Sequence, residues 1–329
     1  MVDVNSRDRA IELVRVVAMF MIIFDHMIEP INLPLKSIFS QFFNSGIYIF
    51  IFLSGYLAGQ KEICNWKKWY IKKIKRIMIP YWIVIAVCFA YETICLHNFN
   101  WKLLLVMFCN LQGIFGTTYT TVPLWFVTLI MILYLLTPIY SKMKKNRRYN
   151  FKIILFMLIS LQIIFAYTTD VGLQYGHNLS WCIVAMTCYG IGFFAKKNIL
   201  KKINKKIIIH ISIITMLMLG ITVIIRYFFD GTYFYDKVIA YDSMTMLALC
   251  LALWVYKIYR QDRFKQVIDW LDGISYEFYL THKLIIVAVT SLVLENYGTV
   301  AYLVTTIVIT IILAWVVSRL NRYINTKLG

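Results

Sequence analysis

The chain has 329 residues, 60% of them hydrophobic and only 15% charged, with a mean hydropathy of +0.69. That composition describes a polytopic membrane protein and excludes a soluble globular domain. A net charge of +18 would suggest nucleic acid in a soluble protein. Here the basic residues sit between apolar stretches, where membrane topology accounts for them, and no aromatic-interleaved basic patch stands apart, so nucleic-acid binding is excluded.

Ten apolar stretches of membrane-spanning length are predicted, at 11–29, 37–59, 77–97, 121–140, 151–168, 178–195, 207–228, 238–257, 273–294 and 298–318. The lysines and arginines test that count. Seven lie in 60–76, six in 141–152, six in 196–206 and four in 257–265, with three at the N-terminal end and three after the last span. All of these fall on one side of a ten-span chain, and only Lys36, Lys102, Arg226, Lys237 and Lys283 do not. The bias predicts both termini in the cytoplasm and a multi-pass location in the cell membrane, inner or plasma. The expected fold is an all-α transmembrane helix bundle, with residues 1–329 forming one membrane-embedded domain because no Pro/Ser/Gly-rich linker divides them. Arg7 and Arg9 before an apolar run resemble a signal peptide, but no small-residue cleavage site follows, and a retained helix is predicted.

The first span reads "RDRAIELVRVVAMFMIIFDHM" and carries Glu12, Arg15, Asp25 and His26. Arg15 and His26 are eleven residues apart, about 16 Å of rise and close to three full turns, so they share one helix face. Ionisable groups in a membrane are costly, and a row of them marks a functional site. Arg9–Glu12 and Glu12–Arg15 are i,i+3 neighbours, so the carboxylate can hold both guanidiniums. His26, with an unperturbed pKa near neutrality, suits a general base. Asp25 points about 100° away and is a weaker candidate for orienting the imidazole than a residue from another helix. The plainer reading has Arg15 snorkelling to the surface and His26 hydrogen-bonded in a packed bundle.

In the second span, "FLSGYL" places Ser54 and Gly55 where small residues permit close helix contact. The third opens with "KKWYIKKIKRIMIPYW", in which Lys72, Lys73 and Arg76 form one cationic face. Lys73 and Arg76, pinned by Pro80 and Tyr81, are candidates for a phosphate cradle; lipid attraction is the alternative. Segment 98–120 contains "NWKLLLVMFCN", too short to span, and then "LQGIFGTTYTTV", so an interfacial or re-entrant element is predicted. Trp125 and Phe126, after Pro123, line a cavity or belong to an interfacial belt. In the ninth span, "DGISYEFYLTH" puts Ser275, Tyr279 and His282 on one face, with His282 about 14 Å above the cytoplasmic start. A tyrosine–histidine hydrogen bond closing the bundle fits that face as well as direct chemistry does. The seven cysteines are scattered without metal or redox spacing, and no metal site is predicted. No Walker loop, dinucleotide fingerprint or nucleophile elbow is present.

Taken in order, "ELVRVVAMFMIIFDH", "GIYIFIFLSGYL", "KKIKRIMIPYW", "PLWFVTLIMILYLLTP" and "ISYEFYLTH" resemble the acyltransferase-3 family of integral membrane O-acyltransferases over almost the whole chain. The resemblance implies transfer of an acyl group, usually acetyl from cytoplasmic acetyl-CoA, to a carbohydrate hydroxyl of a surface or secreted glycan. It implies His26 as the essential histidine, Arg15 as the arginine before it, and Lys73 and Arg76 as the paired basic motif. Lysine at 73 stands where a first arginine is often found, and a point charge there replaces a bidentate fork. Many relatives carry an appended hydrolase-like domain, and none is expected here, so any second transfer step is expected in the bundle or on a separate partner.

The expectation is therefore an O-acetyltransferase of a capsular or cell-envelope polysaccharide, or of its lipid-linked precursor. Its catalytic set is His26, Arg15 and Glu12, with His26 either the general base on the acceptor hydroxyl or the carrier of the acetyl group; Lys73, Arg76 and Arg9 meet the acyl-CoA; Trp125, Ser275, Tyr279 and His282 face the acceptor. Acetyl-CoA is a donor substrate, and no permanently bound cofactor is expected. A transporter or flippase for a glycan or polar solute is the alternative, because the same buried charges could line a path. A purely structural subunit leaves the Glu12–Arg15–His26 row without a purpose.

Overall fold

The computed structural model describes residues 8–115, 121, 125–145, 151–169, 176–196, 199–228, 240–259 and 264–327. Arg7, Pro123 and Lys237 lie outside the described residues, as does most of the turn-forming piece after Phe115. Every regular element among the described residues is helical. They are α1 (Arg9–Ile28), α2 (Lys36–Gly59), α3 (Trp66–Ile94), α4 (Trp101–Phe108), α5 (Gln112–Phe115), α6 (Trp125–Lys145), α7 (Phe151–Thr169), α8 (Gly176–Phe194), α9 (Ile199–Lys202), α10 (Lys205–Phe228), α11 (Ala240–Ile258), α12 (Lys265–Val289) and α13 (Glu295–Lys327), with a π-helical turn at Thr290–Leu294.

Five described helical stretches are long and apolar enough to cross a membrane: Ile38–Gly59, Trp66–Ile94, Trp125–Lys145, Lys205–Thr222 and Lys265–Lys327. The last runs for 63 residues and is broken at Gly298, whose φ of 81° leaves the helical region and falls where the ninth and tenth predicted spans meet. α1 is absent from the five because Glu12, Arg15 and Asp25 dilute its apolarity. α7 and α8 contribute shorter apolar runs, Leu155–Ile164 and Cys182–Phe194. The protein is a membrane protein built from helices.

The chain groups into two compact units. The first comprises Met1–Met21, Gln41–Glu62 and Leu135–Asp272. α2 and α8 pack closely in it. A Cβ on Gly55 would stand 2.1 Å from the carbonyl oxygen of Tyr189, and one on Gly192 would stand 2.2 Å from that of Phe52. The glycines thus let two backbones approach where any side chain would clash. Lys144 Nζ closes the end of this pair by donating to the carbonyls of Gly59 (2.9 Å) and Phe193 (2.8 Å), satisfying last-turn acceptors of both helices. In the following loop, hydrogen bonding and charge from Lys145 hold the Glu62 carboxyl below its usual range. α10 and α11 are joined by Trp254 Nε1 donating to Ser212 Oγ at 2.8 Å.

The second unit comprises Ile22–Ser40, Ile63–Tyr134 and Gly273–Gly329. Here Asn65 caps α3 by accepting from Lys68 N, and Asn100 caps α4 from Leu103 N. α4 leaves Trp101, Leu105 and Phe108 more than half exposed, as an apolar helix too short to span does when it lies at an interface. Trp82 Nε1 donates to Phe108 O at 3.0 Å, and the Tyr81 hydroxyl lies 2.5 Å from Met107 O, so α4 is tied to α3. Buried Glu92 is held by the Thr121 hydroxyl (2.8 Å) and Asn98 Nδ2 (3.1 Å). A core of Ile31, Ile285, Val289 and Tyr302 packs α12 and α13 below the His26 turn, and Tyr302 donates its hydroxyl to Met27 O. All seven cysteines are free thiols.

Candidate active site

Two clusters of ionisable groups occupy α1, one within each unit. The first gathers around Arg15. Its Nη2 donates to Asp272 Oδ2 at 2.9 Å, with the two side chains only 21% and 11% exposed. Asp269 and Asp272 are three residues apart on α12, as Glu12 and Arg15 are on α1, so each helix presents two groups on one face. Glu12 is buried, shares a side-chain hydrogen bond with Asp269 and feels the charges of Asp272 and Arg15. The sequence offered Glu12 as the clamp for Arg9 and Arg15. Arg15, whose charge Glu12 feels, also has a short ion pair with Asp272, a residue at the head of the "DGISYEFYLTH" motif that spacing alone did not connect to the first span. Arg9 is half-buried at the start of α1.

The second cluster is centred on His26, whose side chain is 18% exposed. Nδ1 lies 2.5 Å from Glu29 Oε1, and since a carboxylate accepts, Nδ1 carries the hydrogen. The neutral ring therefore presents an unprotonated Nε2. Glu29 sits one position past the C-terminus of α1, in a turn closed by Glu29 N donating to His26 O at 3.3 Å. Its second carboxylate oxygen pairs with Lys283 Nζ, and its backbone oxygen accepts from Lys36 Nζ. Asp25 accepts from Ser40 Oγ at 2.6 Å and serves the α1–α2 corner. The carboxylate bonded to His26 is thus not Asp25 but Glu29, three positions along the same segment. The i,i+3 spacing of His26 and Glu29 was the sequence signal for it, hidden because Glu29 falls at the span boundary.

His282 joins this centre, its ring 5.1 Å from that of His26 with a 32° tilt. It is fully buried, and its Nδ1 donates to the carbonyl of Tyr279 one turn back. Tyr279 stands 5.5 Å from His282 and 5.6 Å from Phe126, and Phe126 stands 6.3 Å from Trp125. A line of rings therefore runs from Trp125 to His26. Trp125 is half-exposed, whereas Ser275 and Tyr279 are buried. Of the residues expected at the acceptor, the structure brings His282 and Tyr279 to His26, sets Trp125 at the far end of the line, and leaves Ser275 two turns back along α12.

Lys73 and Arg76 lie on α3, half-buried and exposed respectively. Lys73 Nζ stands 4.4 Å from the ring centre of Tyr134 and 5.5 Å from that of Trp69, and it donates to the Tyr134 hydroxyl at 3.3 Å. The two rings hold the ammonium in one place. Tyr70 donates to Tyr134 O at 3.2 Å and fixes that ring's backbone. Near the same helix turn, buried Glu277 of α12 accepts from Asn321 Nδ2 at 3.0 Å and feels Arg76 and Arg322.

The family model described as an acyltransferase domain matches residues 8–319. No curated protein and no solved structure matches the chain. The match covers nearly the whole chain, which belongs to the acyltransferase-3 family.

Proposed function

From that membership, we propose that the protein transfers an acetyl group from cytoplasmic acetyl-CoA to a hydroxyl of a capsular or cell-envelope polysaccharide, or of its lipid-linked precursor. On this reading the chain crosses the cell membrane ten times with both termini in the cytoplasm. The observation that carries the proposal is His26 with Nδ1–H committed to the Glu29 carboxylate and Nε2 left as a base. A carboxylate behind an imidazole sets the tautomer and stabilises the imidazolium that forms when it takes a proton.

In the reaction, the acceptor hydroxyl gives its proton to His26 Nε2 as its oxygen bonds to the thioester carbonyl carbon. The C–S bond then breaks, and the departing CoA thiolate takes that proton back from the imidazolium. Lys73, held by its two rings, and exposed Arg76 offer positive charge to the donor's phosphates. Arg9 and Arg15 are further cations on the cytoplasmic side of the topological reading, and Glu12 holds Arg15 in place. Trp125, with Tyr279, His282 and Ser275 along α12, forms the acceptor side, where aromatic faces suit the C–H face of a sugar ring.

His26→Ala is expected to abolish acetyl esters on the surface glycan while the protein level in the membrane stays unchanged. Retained esters would overturn the assignment of the base. A glycan that disappears, rather than losing its esters, would favour the export reading instead.

A further inference from the structure

His282 holds a buried polar atom that the mechanism above does not use. Its Nδ1 can donate to the Tyr279 carbonyl only as an N–H, so Nε2 of the neutral ring is a bare lone pair. That nitrogen is buried and has no hydrogen-bond partner among the described residues, in a side chain with no exposed surface. Leaving such an acceptor unsatisfied in the interior of a membrane protein costs stability, unless a donor arrives during function. The nearby ring is His26, at a centre-to-centre distance of 5.1 Å. Two imidazoles joined in plane by an N–H···N bond of ordinary length have ring centres about 5 Å apart. With both rings neutral, neither Nε2 carries a hydrogen, and none is available to join them. A hydrogen appears when His26 takes one.

We propose that His282 is a positioning residue for His26: its Nε2 accepts a hydrogen bond from the Nε2–H that His26 acquires from the acceptor hydroxyl. The interaction exists only while His26 is an imidazolium, so it favours the transition state over the resting enzyme. The proton stays on His26, and the thiolate removes it when the C–S bond breaks; His282 neither gains nor loses one. The charged groups around the pair set the same limit. Lys283, next in sequence to His282, is one positive charge, and Lys36 is a second at the Glu29 backbone. Glu29 and Asp25 are the negative ones. With an imidazolium at His26, a second proton on His282 would place like charges about 5 Å apart in a buried site. The pair therefore holds one proton, and His282 remains the acceptor.

This inference rests on His26 being the base, and its test separates the two. Replacing His282 by Gln keeps an acceptor oxygen close to the place of Nε2, whereas Asn keeps polarity only near Nδ1 and Phe keeps neither. With membrane vesicles carrying their native glycan and radiolabelled acetyl-CoA, His282→Phe and His282→Asn are expected to lower kcat about tenfold to a hundredfold with KM for acetyl-CoA unchanged. His282→Gln should stay within about threefold of the parent, since one neutral acceptor replaces another. Equal activity of all three variants, or an equal loss that tracks membrane abundance, overturns the proposal. Independently of any substrate, 15N-histidine spectra of the chain in nanodiscs should show the His282 Nε2 resonance moving to a hydrogen-bonded position as His26 is protonated. That movement should vanish in His26→Ala. A His282 Nε2 indifferent to His26 overturns the proposal, while the expected movement in a protein that transfers no acetyl group overturns the assigned reaction instead.

Discussion

Glu29→Gln isolates the charge behind the proposed base, because the amide keeps the shape and an acceptor oxygen for His26 Nδ1–H. What it removes is the attraction between carboxylate and imidazolium. At about 4 Å and an effective dielectric near 20, two unit charges attract by about 4 kcal/mol. Glu29 is 47% exposed and also serves Lys283, so screening leaves about 2 kcal/mol of this. That corresponds to about a thirtyfold fall in kcat. Glu29→Leu also releases the tautomer and should cost about a hundredfold to ten-thousandfold, the range of a lost general base. The assay is acetyl transfer from radiolabelled acetyl-CoA to the native glycan in membrane vesicles, normalised to chain abundance. A Glu29→Gln protein with parental rate would refute the orienting role.

Three further outcomes follow from the packing and the charges. Gly192→Ala forces a methyl onto the Phe52 carbonyl at 2.2 Å and should lower thermal stability in detergent by about 1–3 kcal/mol, whereas Gly220→Ala, with nothing within 4 Å, should be neutral or slightly stabilising; equal melting of the two would refute the close α2–α8 contact. Arg15→Ala leaves Asp272 without its short ion pair and should cost about 3–5 kcal/mol, read as a loss of folded chain from the membrane, while Arg15→Lys should keep most of it; full abundance of Arg15→Ala would argue that the pair is dispensable to the fold. Arg76→Ala should raise KM for acetyl-CoA about tenfold with kcat unchanged and with a weaker dependence on salt; an unchanged KM would remove Arg76 from the donor site.

The helical architecture was legible because the signals that specify it are local. A run of about 20 apolar residues can only be a helix in a bilayer, and Gly298 marks the break between the last two long helices where the apolar pattern pauses. The close α2–α8 contact was half legible. Gly55 in "FLSGYL" announced a small-residue surface, but nothing local named Tyr189 as the backbone it meets. Arg15 illustrates the same limit in charge. Its i−3 neighbour Glu12 is visible from spacing, whereas its ion pair with Asp272, across 257 positions of sequence, is not. Long-range pairs of this kind leave no periodicity to read.

The histidine centre shows how the group bonded to a residue can lie where the pattern inside the helix does not reach. On a helix, position i+1 turns away from i by about 100° and position i+3 returns to the same face. That rule disfavours Asp25 and selects Glu29, which lies at the edge of the predicted span and one residue beyond α1. The boundary matters physically. At the end of a helix the backbone can turn, so the glutamate lies against the imidazole while its second oxygen and its carbonyl reach Lys283 and Lys36. Inside the helix it could not serve three partners. A carboxylate at this position is also partly solvated, which lowers the cost of keeping it ionised next to a base in a membrane. The end of α1 is therefore where a charged orienting group can be sustained, and it places the proposed base one turn inside the point at which the helix stops.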